Sequence, residues 1–285
     1  WPAYTIMQRE YGELTAYDLI LARRVARAAF ETPEAYVPLM RHVGELNVET
    51  LSELGAYLAD RGRAAEAQAV YEEWVEKSRD RVTVANGVWW LVRRYHELGD
   101  QQRAEALARM AADVYSFRGL TTLADLHDWR GDYRAAMKIH EAAAGRYDTH
   151  QELLAFYLRR GGSDDRIGAK KDALLPRIFP AGLSRVTPGD LTTEPNEGVW
   201  LIEVGDSGRR AGLRNYDIVV AVDGIRVANY KQYRAARGAA TAPEMMLTVW
   251  RQGGKYVEVR APLRYGWPVS NLQDYVRGRA MVATR

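Results

Sequence analysis

The residues able to do covalent chemistry are few and scattered. Gly205-Asp206-Ser207-Gly208 sets a serine between small and acidic neighbours, the setting of an activated nucleophile. Such a serine needs a histidine base within hydrogen-bond reach. The five histidines (His42, His96, His127, His140 and His150) are spread through the first part of the chain, far from Ser207 in sequence. There is no cysteine, hence no thiol nucleophile, thiolate metal site or disulfide. No H-E-x-x-H, G-x-x-x-x-G-K or G-x-G-x-x-G motif occurs. The chain therefore reads as non-enzymatic, with no catalytic residue, no metal and no cofactor expected. His127 and His140 read as packing residues.

The elements around these residues fall into two halves. At about 150 residues per domain, 285 residues suggest two domains. Apolar residues make up 47% and charged residues 27%, which suits globular folding. The net charge is only +3, and arginines are interleaved with Glu and Asp, so no basic stripe for nucleic acid is expected. No run approaches the 18 to 20 apolar residues, roughly, of a membrane span. The chain starts at Trp1 without a basic-then-apolar leader, so either a leader has been removed or the chain is a trimmed piece.

Residues 1–160 show apolar positions at three- and four-residue spacing, the period of helices. Glycines recur at Gly62, Gly99, Gly131 and Gly161, each preceded by an apolar helical face. Ala67 and Tyr71, Ala104 and Ala108, and Ala136 and His140 follow the first three, the alanine marking where two helices cross closely. No single pair can bury its face, so the pairs stack. Residues 48–160 resemble the tetratricopeptide repeat, well in three units and partly in the fourth. Tyr11–Arg27 reads as an amphipathic capping helix. The resemblance implies that first helices line a concave peptide-binding face, which places Asn86, Trp89, Arg93, Arg118, Asp125, Trp129 and Arg159 there. The alternative for Trp89 and Trp129 is a core position or a contact with the second domain.

From about residue 180 the period changes to short β-branched runs: Val199–Val204, Ile218–Val222, Met245–Trp250 and Tyr256–Val259. Gly161-Gly162-Ser163-Asp164-Asp165 and the following charges read as a seam. The stretch from Gly208 to Val227 holds Ala211-Gly212-Leu213-Arg214, Asp217-Ile218 and Asp223-Gly224 in order. Residues 176–264 resemble the permuted, protease-associated bacterial PDZ domain. Tyr216 stands where that family has Gly, so Asn215 is expected to carry the turn angle. The resemblance implies capture of a protein or peptide C-terminus as an added strand. The amides of Ala181, Gly182 and Leu183 would hold the carboxylate, with Arg177 in support, and Leu183–Val186, including Arg185, would pair with the guest. Tyr230, Tyr233 and Arg237 share the face of the opposite helix. Two alternatives stay open here: residues 178–182 as an ordinary turn, and the tyrosines as core.

The resulting fold class is multidomain, an all-α tetratricopeptide-like solenoid plus a small α+β PDZ-like domain with a partly open β-barrel. The boundaries are 1–165 for the solenoid with its capping helices, 166–177 for a linker, 178–264 for the PDZ-like domain and 265–285 for a tail that either packs or extends. The expected function is an adaptor or scaffold holding a peptide on the PDZ-like edge and a second protein on the repeats. One alternative is a substrate-recognition segment of a larger bacterial protease, which makes a protease one candidate partner. The other is a structural assembly module with internally filled grooves. The PDZ type and the lack of cysteine lean toward the bacterial periplasm or secretion, with the cytoplasm left open.

Overall fold

A computed structural model describes residues 33–251, 253–262 and 269–278. The expected helix at 11–27 lies outside these residues. The chain divides into two compact units, Trp1–Leu126 and His127–Arg285.

The described residues of the first unit are helical. Its elements are α1 (Pro33–Leu46), α2 (Leu51–Asp60), α3 (Ala64–Lys77), α4 (Arg81–Gly87), α5 (Trp89–Glu97), α6 (Gln101–Ala112) and α7 (Phe117–Trp129), whose last turn enters the second unit. The helices pack as pairs, α2 on α3 and α5 on α6. The turns explain the repeat. After α2, the amides of Gly62 and Arg63 donate back to the carbonyls of Ala59 and Leu58. After α5, Gly99 and Asp100 donate to His96 and Tyr95. In the second unit, Gly131 and Asp132 donate to Asp128 and His127. This is one Schellman stop used three times. It needs a left-handed residue, and Gly62, Gly99 and Gly131 have φ of 76°, 79° and 81°. Asp100 and Asp132 then cap the next helix by accepting the amides of Arg103 and Ala135. Gly161, in the fourth repeat, is a right-handed helix cap instead, so the same stop is not used there.

Ala67, Ala104 and Ala136 are fully buried, as close helix crossings require. Tyr71 stacks on Trp90 with ring centroids 5.2 Å apart. The repeat array is thus tetratricopeptide-like in its turns and its small-residue positions.

The second unit continues with α8 (Tyr133–Tyr147), α9 (His150–Arg160) and α10 (Asp165–Ile178). The segment 166–177, expected to be a linker, is helical throughout as part of α10. Asp164 caps it by accepting the Arg166 amide at 2.8 Å, and Ile167, Leu174 and Ile178 recur at helical spacing and pack inward. The charge run read as a linker is the helix's outer face.

A small antiparallel sheet follows: β1 (Glu197–Val204), β2 (Ile218–Val222), β3 (Ile225–Arg226), β4 (Glu244–Arg251), β5 (Lys255–Pro262) and β6 (Val269–Val276). The strand order is β5-β4-β2-β1-β6, with β3 paired to β2. Among the described residues β5 and β6 end this order, and the sheet is not closed into a barrel. A short helix, α11 (Asp206–Arg210), follows β1 and ends before Gly212, whose φ is 95°. Asp223 and Gly224 both have positive φ and turn the β2–β3 hairpin. Arg251 grips buried Asp217 with two bonds, of 3.0 and 2.8 Å, tying β4 to the start of β2. The helix α12 (Tyr230–Ala239) covers one sheet face.

The tail was open between packing and extending. Its described part is β6, which pairs with β1 from Glu197↔Val276 to Val204↔Val269.

The turn angle expected at Asn215 is carried by Tyr216, at φ 69°. Asn215 instead accepts the Val204 amide through Oδ1 at 2.9 Å, and that bond holds it outside the strained position.

Candidate peptide-binding surfaces

The first candidate surface lies on the repeats of the first unit. Trp89, on α5, donates its indole N–H to Asp125 Oδ2 on α7 at 2.7 Å. The Arg93 guanidinium lies 5.6 Å from the Trp89 ring centroid, one helical turn on, and pairs with Glu97 at 2.8 Å. Asn86 is half-buried on α4, and Arg118 is exposed at the start of α7. The structure therefore brings Trp89, Arg93 and Asp125 together across successive repeats. Arg and Trp in contact offer area and charge at low entropic cost, because each holds the other in place.

Trp129 and Arg159 belong to the second unit. Trp129 is half-buried in the last turn of α7. Arg159 departs from its expected place on an open face. It donates to the Gly238 carbonyl on α12 and pairs with buried Asp128 at 3.4 Å. Its reach is taken up by docking α12 on α9, and its side chain is only 16% exposed.

The second candidate surface was expected beside α12. Pro180 to Gly182 form a turn in which the Gly182 amide donates to the Phe179 carbonyl at 2.8 Å, and Gly182 has φ 77°. One of the three expected carboxylate donors is thus engaged within the turn. Ala181 is exposed, and Leu183 is 42% exposed. The segment after it pairs with β3: Arg185 bridges Ile225, the Val186 amide donates to Gly224, and the Arg226 amide donates to Ser184. Arg185 Nη1 also donates to the Asp223 carbonyl at 3.3 Å. Arg177 ends α10 and faces Asp148 at 3.7 Å.

The strand that lies along β1 and reaches α12 is β6, not 183–186. Asp274 Oδ1 accepts the Tyr230 amide at 2.6 Å, at the first turn of α12. Sequence reasoning missed this strand because β-branched residues are sparse in it. Turn signals bound it on both sides, Gly266-Trp267-Pro268 before and Gly278 after, and these were legible.

The helix expected to wall a groove is packed on both faces. Tyr233 is 1% exposed in the core with Val199, Leu201 and Leu247. Burial pushes its hydroxyl well above the usual tyrosine range. It is a core residue, the second of the two readings open for the tyrosines, and so does not line a groove. Tyr230 is half-buried, stacks on Tyr233 at 6.4 Å, and accepts a bond from Arg234 at 2.9 Å. Arg237 is half-buried in the last turn. On the other side α12 meets α9. Ala235 joins Leu154, Ile178 and Phe179 in one cluster, and Arg234 pairs with Glu152. Gln232 Nε2 donates to the buried Ile178 carbonyl at 3.0 Å. A Cβ on Gly238 would stand 2.7 Å from that of Ala155, so only glycine allows this approach.

Fold and surfaces together define a tetratricopeptide-like helical-repeat protein carrying a small antiparallel sheet. The chain is similar to MamA, with 17% identity and a TM-score of 0.43 over 58% of this chain and 95% of that one. It is also similar to a second structure, MamA AMB-1, with 19% identity and a TM-score of 0.38 over 56% of this chain and 92% of that one. No protein family model matches the chain. No curated protein matches it either. Among the described residues, no helix is long and apolar enough to cross a membrane.

Proposed function

We propose that this protein is a non-enzymatic scaffold that binds protein or peptide partners on its repeats. The observation that carries the reading is the Trp89–Asp125 bond across two repeats with Arg93 against the ring. Residues of these types dominate interface energetics when they are held in place. An extended peptide with an acidic group suits the pair, since Arg93 and Arg118 would meet its carboxylates.

In this reading the α/β part, 178–264 with β6 added, is a PDZ-like module devoted to assembly, and the repeats run through residue 165. Two facts favour assembly over capture of a C-terminus. The strand position along β1 is filled by β6, and α12 is fastened to α9. Capture by Ala181, Gly182 and Leu183 and a protease among the partners rest on the PDZ resemblance alone, and a periplasmic setting on that resemblance and the lack of cysteine.

Selection of a displayed peptide library on the full chain tests the proposal. Enriched peptides should lose at least about 30-fold in affinity on the W89A/R93A double variant, the effect of one hot spot of about 2 kcal/mol. Unchanged affinity would overturn the repeat-face reading. Peptides that instead lose binding on Gly182→Trp would restore capture by the 181–183 loop.

A further inference from the structure

The sheet has a second face, turned away from α12. Side chains alternate along each strand. Val199 and Leu201 of β1 enter the core under α12, so Trp200 between them points to the other side, where it packs with Ile218, Val220 and Tyr275. The register carries this face across the sheet. Trp200 pairs with Gln273 of β6 and with Ile218 of β2. Ile218 pairs with Trp250 of β4, and Trp250 with Tyr256 of β5. Two half-buried indoles thus flank a buried isoleucine in one row.

The rings are held from outside the row. Trp250 meets Tyr256 edge-on with centroids 4.7 Å apart, and Trp200 meets Tyr275 at 4.9 Å. The Tyr256 hydroxyl donates to the Thr193 carbonyl at 2.8 Å, and the Tyr275 hydroxyl to Glu194 at 3.0 Å. Both tyrosines are therefore tied to the segment before β1. The indole N–H groups are different. Among the described residues neither Trp200 nor Trp250 has a hydrogen-bond partner in the chain, and neither N–H is sealed from solvent. This face offers two fixed aromatic surfaces and two unspent donors.

That pattern selects one kind of backbone. The indoles stand on β1 and β4 with β2 between them, two strand spacings or about 9.6 Å apart. A polyproline II helix repeats every three residues at a rise of about 3.1 Å, which is about 9.3 Å. Its carbonyls make no internal bonds, and proline has no N–H, so it brings acceptors to a surface of donors. An α-helix spends its carbonyls internally and repeats at about 5.4 Å, so it matches neither feature. Charge adds a direction. Beside Tyr256 lies a cavity of about 230 Å³ lined by Asp190, Glu194 and Glu197 against one cation, Arg226. Thr187 donates to Asp190 and Tyr275 to Glu194, whereas Glu197 has no partner. The excess of carboxylates suits a basic residue next to the prolines.

We propose that this face docks a proline-rich segment of a partner protein, with prolines three residues apart on Trp200 and Trp250 and an arginine or lysine toward the Glu197 cavity. The rings and donors are already in place, so little ordering opposes binding. The surface is separate from the repeat face and does not rest on its reading.

The probe is a synthetic peptide of prolines and alanines at P-x-x-P spacing with an arginine at one end, titrated into the full chain by calorimetry and by the NMR signals of the indole N–H groups. Trp200→Phe and Trp250→Phe assign two of the eight tryptophan signals, and those two should shift on titration. The W200F/W250F variant keeps aromatic rings at both places and should retain the circular dichroism of the parent. It should lose about tenfold in affinity, the effect of two modest hydrogen bonds. The W89A/R93A variant should bind this peptide as the parent does. Unshifted indole signals at saturation, full affinity in W200F/W250F, or equal or tighter binding of a glutamate-ended peptide would each overturn the proposal. So would a single-stranded oligonucleotide or an oligosaccharide that moves the two signals when the peptide does not.

Discussion

His140 sits against Phe156, with ring centroids 4.8 Å apart, and is 6% exposed. Burial, aided by the positive charge of Arg159, pushes its pKa down from 6.5 to about 3. The folded chain therefore keeps the imidazole neutral at pH values where the unfolded chain binds a proton. Stability linked to this residue is complete above the unfolded pKa of about 6.5 and is lost as pH falls toward the folded value. Each pH unit in that window is worth up to about 1.4 kcal/mol, so lowering pH from 7 to 5 should cost about 2 kcal/mol through His140. Replacing it with Phe removes the proton site and keeps an aromatic ring beside Phe156. Urea unfolding of both proteins at pH 7, 6 and 5, followed by circular dichroism, isolates the effect, since the other histidines are common to both. The stability of the parent chain should fall by about 2 kcal/mol more than that of His140→Phe between pH 7 and 5. Parallel pH curves would refute the burial argument.

Three further outcomes follow from single contacts. Tyr216→Gly should raise stability by about 1 kcal/mol, because Tyr216 holds φ 69° while partly exposed; thermal unfolding reads this as a higher midpoint. Asp217→Ala should cost about 3 kcal/mol, since it removes the carboxylate partner of Arg251 at a site where the aspartate is 2% exposed and leaves the guanidinium only the Gly212 carbonyl; denaturant midpoints measure it. Gly238→Val should loosen α12 from α9, because the added Cβ meets that of Ala155; faster hydrogen exchange confined to the two helices is the expected sign, and unchanged protection would contradict the packing.

Periodicity alone made the helical repeats legible. The glycines at 62, 99 and 131 and the alanines that follow them are local requirements of a tight stop and a close crossing, so their spacing carries the fold. The order of β1, the short helix, the Asp223-Gly224 hairpin and the β4–β5 pair was legible for the same reason, as each depends on neighbours in sequence. The 166–177 helix was masked by its charged outer face, although Ile167, Leu174 and Ile178 kept the helical period.

What the sequence could not determine was which surfaces stay open. Tyr233 and Arg159 look alike from the chain whether they face a guest or another helix; only the approach of α12 to α9 and to the sheet assigns them. The same holds for the outer side of β1, which is covered by β6, a strand distant from it in sequence. Local signals specify elements because they act over a few residues. Occupancy of a sheet edge is a competition among all segments able to reach it, and tertiary structure alone decides that competition.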